Sequence, residues 1–340
     1  MVEAMLSSAT LDIESRLLKY GQAANAALER VLDEVPEVFY FGEDCAKPGG
    51  VFGTTRGLHK RFESRIFDTP ISETAMIGSA IGAALMGLRP IVEIMWVDFT
   101  LVAMDQIVNQ AANARYVSRG RAPAPIVIRT QQGNSPAACA QHSQSLEAFF
   151  LHVPGIRVVM PWSAQDAYDA ILSAVACDDP VIIIENRTLY EGLKQDVMVG
   201  GPVRAIGWSN HLVEGDDVTI VTWGAMTATV LSASDSLIEQ GIHPDVVELT
   251  WLNPVDQDSI LRSVARTGRI AVVHEANVSA GFGAEIVART VESDVRLVAP
   301  PVRIATPNMR IPAHPRLAAA VLPSSQRIVD DVATLVRDRK

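Results

Sequence analysis

Short apolar runs alternate with longer stretches of helical periodicity along most of the chain. Residues 37–41, 91–95, 125–129, 156–159 and 181–185 read as buried strands. Residues 21–34, 73–86, 99–116 and 164–176 read as helices, and in 99–116 the spacing turns Val102, Ile107, Val108, Ala111 and Ala114 inward. Strands alternating with helices predict an α/β fold with a mostly parallel sheet covered on both faces. Residues 186–209 are polar, broken by Gly200, Gly201 and Pro202, and read as a linker. A second alternation follows, with strands at 218–222, 245–249, 270–274 and 302–305 and helices at 228–240, 257–266, 283–293 and 326–337. Two α/β domains are therefore expected, 1–195 and 196–340.

Ligands of such sheets bind beyond the C-terminal ends of the strands. Glu43, Glu73, Phe99 and His142 all fall in or near those ends. Glu73 stands out because it opens an otherwise apolar helix, behind the extended Thr69-Pro70 and a plausible cap at Ser72. One reading is structural, since an acid in the first turn is favoured by the helix dipole by roughly 0.3–1 kcal/mol. The other is chemical: a buried carboxyl has a raised pKa and can share a proton with a heterocyclic nitrogen. Within the same helix Gly78, Ser79, Gly82 and Ala83 form a slim stripe that fits either a subunit interface or an intrachain contact. His274-Glu275 ends a strand and reads as a structural cap.

Composition narrows the function classes. The 340-residue chain is 48% hydrophobic and 20% charged, with a net charge of −10, which argues against nucleic acid as a partner. Three cysteines without tight spacing give neither a disulfide framework nor a zinc site and suit a reducing, cytoplasmic setting. No stretch is apolar enough for a membrane span, and the first residues lack the apolar run of a secretory signal. The glycine-rich 47–53 loop is not a phosphate loop, and Gly281-Phe282-Gly283 is half a dinucleotide fingerprint in the wrong setting.

Taken in order, GED (42–44), GGVFGTTRGL (49–58), FDTPISE (67–73), GLRPIVE (87–93), DQIVNQAA (105–112), PIVIRT (125–130), AQHSQSLEAFFLHVPG (140–155) and DDPVIIIEN (178–186) carry a resemblance. With LTWLNPVDQDSILRSVARTGRIAVVHEA and GFGAEI in the second half, they resemble the beta subunit of the thiamine-diphosphate-dependent 2-oxo acid dehydrogenase decarboxylating component. The resemblance implies a pyrimidine-binding domain followed by a transketolase C-terminal-type domain. It also implies an alpha subunit in a heterotetramer of two alpha and two beta chains, and a lipoyl acyltransferase partner. The alpha chain of that family holds the diphosphate and Mg2+ through a GDG…NN motif, and this sequence has neither GDG nor NN.

Residue by residue, the resemblance makes Glu73 the acid on N1′ of the aminopyrimidine and Phe99 the aromatic packed on that ring. His142 matches the histidine implicated in transfer to the lipoyl group. Ile126, Ala174, Val175, Cys177 and Asp179 match positions whose backbone carbonyls hold a structural potassium ion. The chain departs from common members at Asn134-Ser135-Pro136, Arg119-Gly120 and Asn113, which bears on substrate identity. GGVFGTTRGL and AQHSQSLEA resemble acetoin and pyruvate dehydrogenase beta subunits most. A non-catalytic assembly subunit of such a complex is the alternative reading. Single-chain thiamine enzymes are disfavoured because they carry their own diphosphate motif.

Overall fold

In the computed structural model, which describes Val2, Leu6 and residues 13–134 and 138–337, the apolar runs form the strands they predict. In chain order these are β1 (Glu14–Leu18), β2 (Val38–Gly42), β3 (Ile66–Asp68), β4 (Arg89–Ile94), β5 (Val127–Gln132), β6 (Arg157–Val159), β7 (Val181–Asn186) and β8 (Gln195–Val199). Strands β6, β7, β5, β4, β2 and β3 lie side by side in that order, all parallel. Parallel strands are buried on both faces, and β4, β5 and β7 are buried along almost their whole length, polar residues such as Glu93, Arg129 and Glu185 included. The helices Tyr20–Glu34 and Ala164–Ala176 pack against each other, each presenting an alanine-rich face to the core.

The second half supplies β9 (Asn210–Val213), β10 (Val218–Thr222), β11 (Pro244–Glu248), β12 (Trp251–Asn253), β13 (Ile270–Asn277) and β14 (Val302–Thr306). Here the order is β14, β13, β10, β11, β9, parallel except for the edge strand β9. Val218, Ile220, Val230, Leu237, Val246, Val273, Ile304, Ile328 and Val332 form its core. By internal contacts the chain divides into two units. One is Met1–Gln132 with Phe149–Ile206, and the other is Gly133–Ala148 with Gly207–Lys340. The loop after β5 therefore belongs with the second unit.

Three local expectations change. The 186–209 stretch is not only linker: β8 pairs antiparallel with β1, and Val197 is fully buried. The stretch 99–116 is not one α-helix but a 3-10 turn (Val97–Ala103), a π turn (Gln106–Ala111) and a short α-helix (Ala112–Val117). Changing the residues per turn shifts the phase, so Ile107 and Ala111 stay buried while Val102 turns outward, 57% exposed. Ser72 sits at the N-cap of Glu73–Leu85 but its side chain makes no capping bond. Of the departing 134–136 loop, Ser135 and Pro136 lie outside the described residues.

Candidate active site

Glu73 is the first residue of the helix Glu73–Leu85, which starts just beyond the C-terminal end of β3. Thr69 N donates to Gly42 O at 2.9 Å, tying that end to the end of β2 and to Glu43. Thr74 Oγ1 donates to Val102 O at 2.9 Å, fixing the same helix to the segment that carries Phe99. Glu73 is 7% exposed. Glu43 is half-buried beside it. Burial first, and then the charges of Glu73, Asp44 and Glu93, push the Glu43 carboxyl above its ordinary range. Gly42 is needed where β2 meets β4, because a Cβ there would lie 2.7 Å from Glu93 O.

Phe99 is half-buried in the 3-10 turn after β4, its N–H donating to Trp96 O at 3.0 Å. Trp96 holds φ at +66°, an unusual backbone for a large residue, and this turns the chain off the strand end. Glu73 and Phe99 thus belong to one unit and to adjoining elements at its strand ends.

Beneath them lies a buried polar network in which sequence reasoning assigned no role. Arg129 is fully buried and donates to Glu93 at 2.8 Å, to Tyr40 and Tyr190 hydroxyls at 3.0 Å each, and to Thr54 Oγ1 at 2.9 Å. Glu185 faces the same guanidinium at 2.5 Å and accepts from Tyr190 at 2.6 Å. Gln131 and Tyr40 both donate to Glu93. Burial alone disfavours the Arg129 cation, but Glu185, Tyr190, Tyr40 and Glu93 together raise its pKa well above the ordinary value. The network braces the ends of β4, β5 and β7.

His142 lies in the other unit, half-buried after the 3-10 turn Cys139–Gln141, its N–H donating to Ala138 O at 3.2 Å. The same segment reaches Glu147, whose Oε1 accepts from Trp223 Nε1 at 3.2 Å. Trp223 stacks on His274, with ring centroids 5.1 Å apart and planes within 8°. His274 is itself fully buried. Desolvation first, and then Arg303, lower the His274 pKa to about 4, which keeps its ring neutral.

Of the five backbone positions suggested for a monovalent cation, Val175 O and Cys177 O accept from Arg89 Nη1 at 2.8 and 2.9 Å. Ile126 O accepts from Val181 N at 3.0 Å and Ala174 O from Cys177 N at 3.3 Å. The Asp179 carboxylate is paired with Arg115 at 2.6 Å and Arg157 at 3.0 Å. Among the described residues, no group of three or more His, Cys, Asp or Glu side chains could hold a metal ion.

Two parallel α/β units with an acid and an aromatic at the strand ends of the first define a transketolase-type protein. Residues 17–192 match the family described as transketolase, pyrimidine binding domain, and residues 207–328 match transketolase, C-terminal domain. The chain is 38% identical over 325 residues to the beta subunit of acetoin:2,6-dichlorophenolindophenol oxidoreductase of Cupriavidus necator, covering 92% of this chain and 96% of that one. It is 39% identical to the beta subunit of the pyruvate dehydrogenase E1 component of Bacillus subtilis, covering 86% and 90%. A split-gene transketolase solved as an inactive beta4 tetramer shares the fold, with a TM-score of 0.77 at 23% identity over 96% of this chain and 100% of that one. The chain belongs to the family of beta subunits of the 2-oxo acid and acetoin dehydrogenases. It is an oxidoreductase subunit, and among its described residues no helix is long and apolar enough to cross a membrane.

Proposed function

We propose that this chain supplies the pyrimidine half of a thiamine diphosphate site completed by an alpha subunit, in a cytoplasmic assembly of two alpha and two beta chains. Together they cleave a 2-oxo acid or acetoin and pass the acyl group to the lipoyl group of an acyltransferase partner. The observation that carries this reading is Glu73: a buried carboxylate at a strand end, beside a second acid. An acid so placed fits a ring nitrogen that can give and take a proton.

Thiamine diphosphate supplies, when bound, the nucleophile and electron sink for cleaving the bond next to the substrate carbonyl. Glu73 holds and exchanges the proton at N1′ of the aminopyrimidine. Phe99 packs on that ring and fixes its plane. His142 handles the proton at the dithiolane during acyl transfer. The alpha subunit holds the diphosphate and its Mg2+. A structural potassium ion at the carbonyls of Ile126, Ala174, Val175, Cys177 and Asp179 would share two of them with Arg89. The pyrimidine-binding half ends near residue 195, in the stretch between the two matched families.

Calorimetry of thiamine diphosphate with Mg2+, on this chain alone and then mixed with its alpha chain, tests the half-site. Binding only in the mixture is the expected result. Tight binding by the isolated chain would overturn the shared site, and binding in neither sample would favour an assembly subunit.

A further inference from the structure

The segment that carries His142 leaves β5 of the first unit but is held by the second. Between Gln141 and Glu147 it has no helix or strand, so side-chain anchors must fix its course. Arg310 Nη1 donates to Gln144 Oε1, and Trp223 Nε1 donates to Glu147 Oε1. Glu147 is fully buried, and its second oxygen has no hydrogen-bond partner among the described residues. An apolar side chain would fill this place at lower desolvation cost, so the carboxylate is spent on direction rather than on stability.

Trp223 is built to be immobile. It follows β10, is 2% exposed, stacks on His274 and meets Phe282 edge-on with centroids 5.7 Å apart. His274 cannot retreat, because the turn at Gly281 and Gly283 closes on its ring. A Cβ at Gly283 would lie 2.6 Å from Nε2, and one at Gly281 would lie 2.7 Å from Cε1. The indole N–H is therefore a fixed point in the second unit, and Glu147 is registered against it.

We propose that Glu147 and Trp223 are positioning residues for His142, fixing the loop from which it acts on the acyl acceptor. The proposal rests on the reading that His142 serves acyl transfer. It assigns neither residue any contact with substrate.

The test uses the full chain assembled with its alpha subunit, a lipoyl domain as acceptor and single-turnover acylation as readout. Trp223→Phe and Glu147→Leu should slow acylation by roughly 10- to 100-fold, the loss that follows a small displacement of a reacting group. Thiamine diphosphate binding and assembly should be unchanged. Glu147→Gln keeps an oxygen that accepts from the indole and should stay within about threefold of wild type. In a His142→Ala background Trp223→Phe should cost nothing further, the non-additivity of residues that act as a unit. Wild-type acylation by Trp223→Phe while His142→Ala is inactive would overturn the anchor alone. An equal loss on both backgrounds would also overturn it, marking general destabilisation. Wild-type acylation by His142→Ala would instead remove the role of His142, and the anchor with it.

Discussion

Replacing Arg129 by methionine removes the cation set between two buried carboxylates. Glu93, 4% exposed, and Glu185, fully buried, would each lose their ionic partner, and the hydroxyls of Tyr40 and Tyr190 would lose an N–H donor. Breaking a buried pair by removing one partner costs about 3–5 kcal/mol, because a charge is left uncompensated in low dielectric. In a domain of this size each kcal/mol moves the midpoint by about 2–4 °C, so thermal unfolding should begin about 6–20 °C lower. The sign of the pH dependence is fixed. Burial already raises the Glu185 carboxyl and Arg129 opposes that rise, so without Arg129 the folded state binds more protons than the unfolded chain in that window. The defect should therefore shrink as pH falls towards 5 and grow towards 8. Tyr190→Phe is the control: it removes one hydroxyl and leaves the Arg129–Glu185 pair, and should cost only about 1–1.5 kcal/mol. Denaturation of both variants across that pH range decides the matter. An Arg129→Met protein as stable as the Tyr190→Phe protein, or one whose defect grows in acid, would refute the account of Arg129 as a required buried cation.

Glu73→Gln should abolish turnover while assembly with the alpha chain stays intact, measured by acceptor-dye reduction and gel filtration; wild-type turnover would sink the role given to Glu73. His274, whose folded pKa of about 4 lies below the ordinary 6.5, binds fewer protons folded than unfolded, so it costs stability as pH falls from 6.5 towards 4, up to about 3 kcal/mol. His274→Phe keeps a ring against Trp223 and should flatten that acid limb of the stability profile; an unchanged slope would show that other groups set it. Gly283→Ala forces a Cβ to 2.6 Å from the His274 ring, and denaturant titration should show a loss of about 1–3 kcal/mol from overpacking. A neutral result there would mean that the Trp223–His274 stack is free to shift.

The alternation of apolar runs and helices was enough to find the central strands of both sheets, because burial leaves them little latitude, whereas the short edge strands β3 and β9 carry no such run. The 99–116 stretch misled for the converse reason: a helical stripe assumes a constant number of residues per turn, and here 3-10 and π turns succeed one another. Glu73 could be singled out because a lone acid in an apolar helix is a one-dimensional anomaly. Arg129 is the same anomaly in a strand, yet its meaning is two-dimensional. Glu93 and Arg129 sit directly across from each other on β4 and β5, and Gln131 sits opposite Glu185 on β7. Only once the order β7–β5–β4 is assigned does a cation between two acids emerge from three separate motifs. The anchor of the His142 segment lies further still from the sequence, since Glu147 and Trp223 share no periodicity and meet only because the loop after β5 clusters with the second unit. Both devices have one physical logic. A buried polar group that gives up hydration for a fixed geometry is used where an apolar contact would let the strand ends or the loop slide.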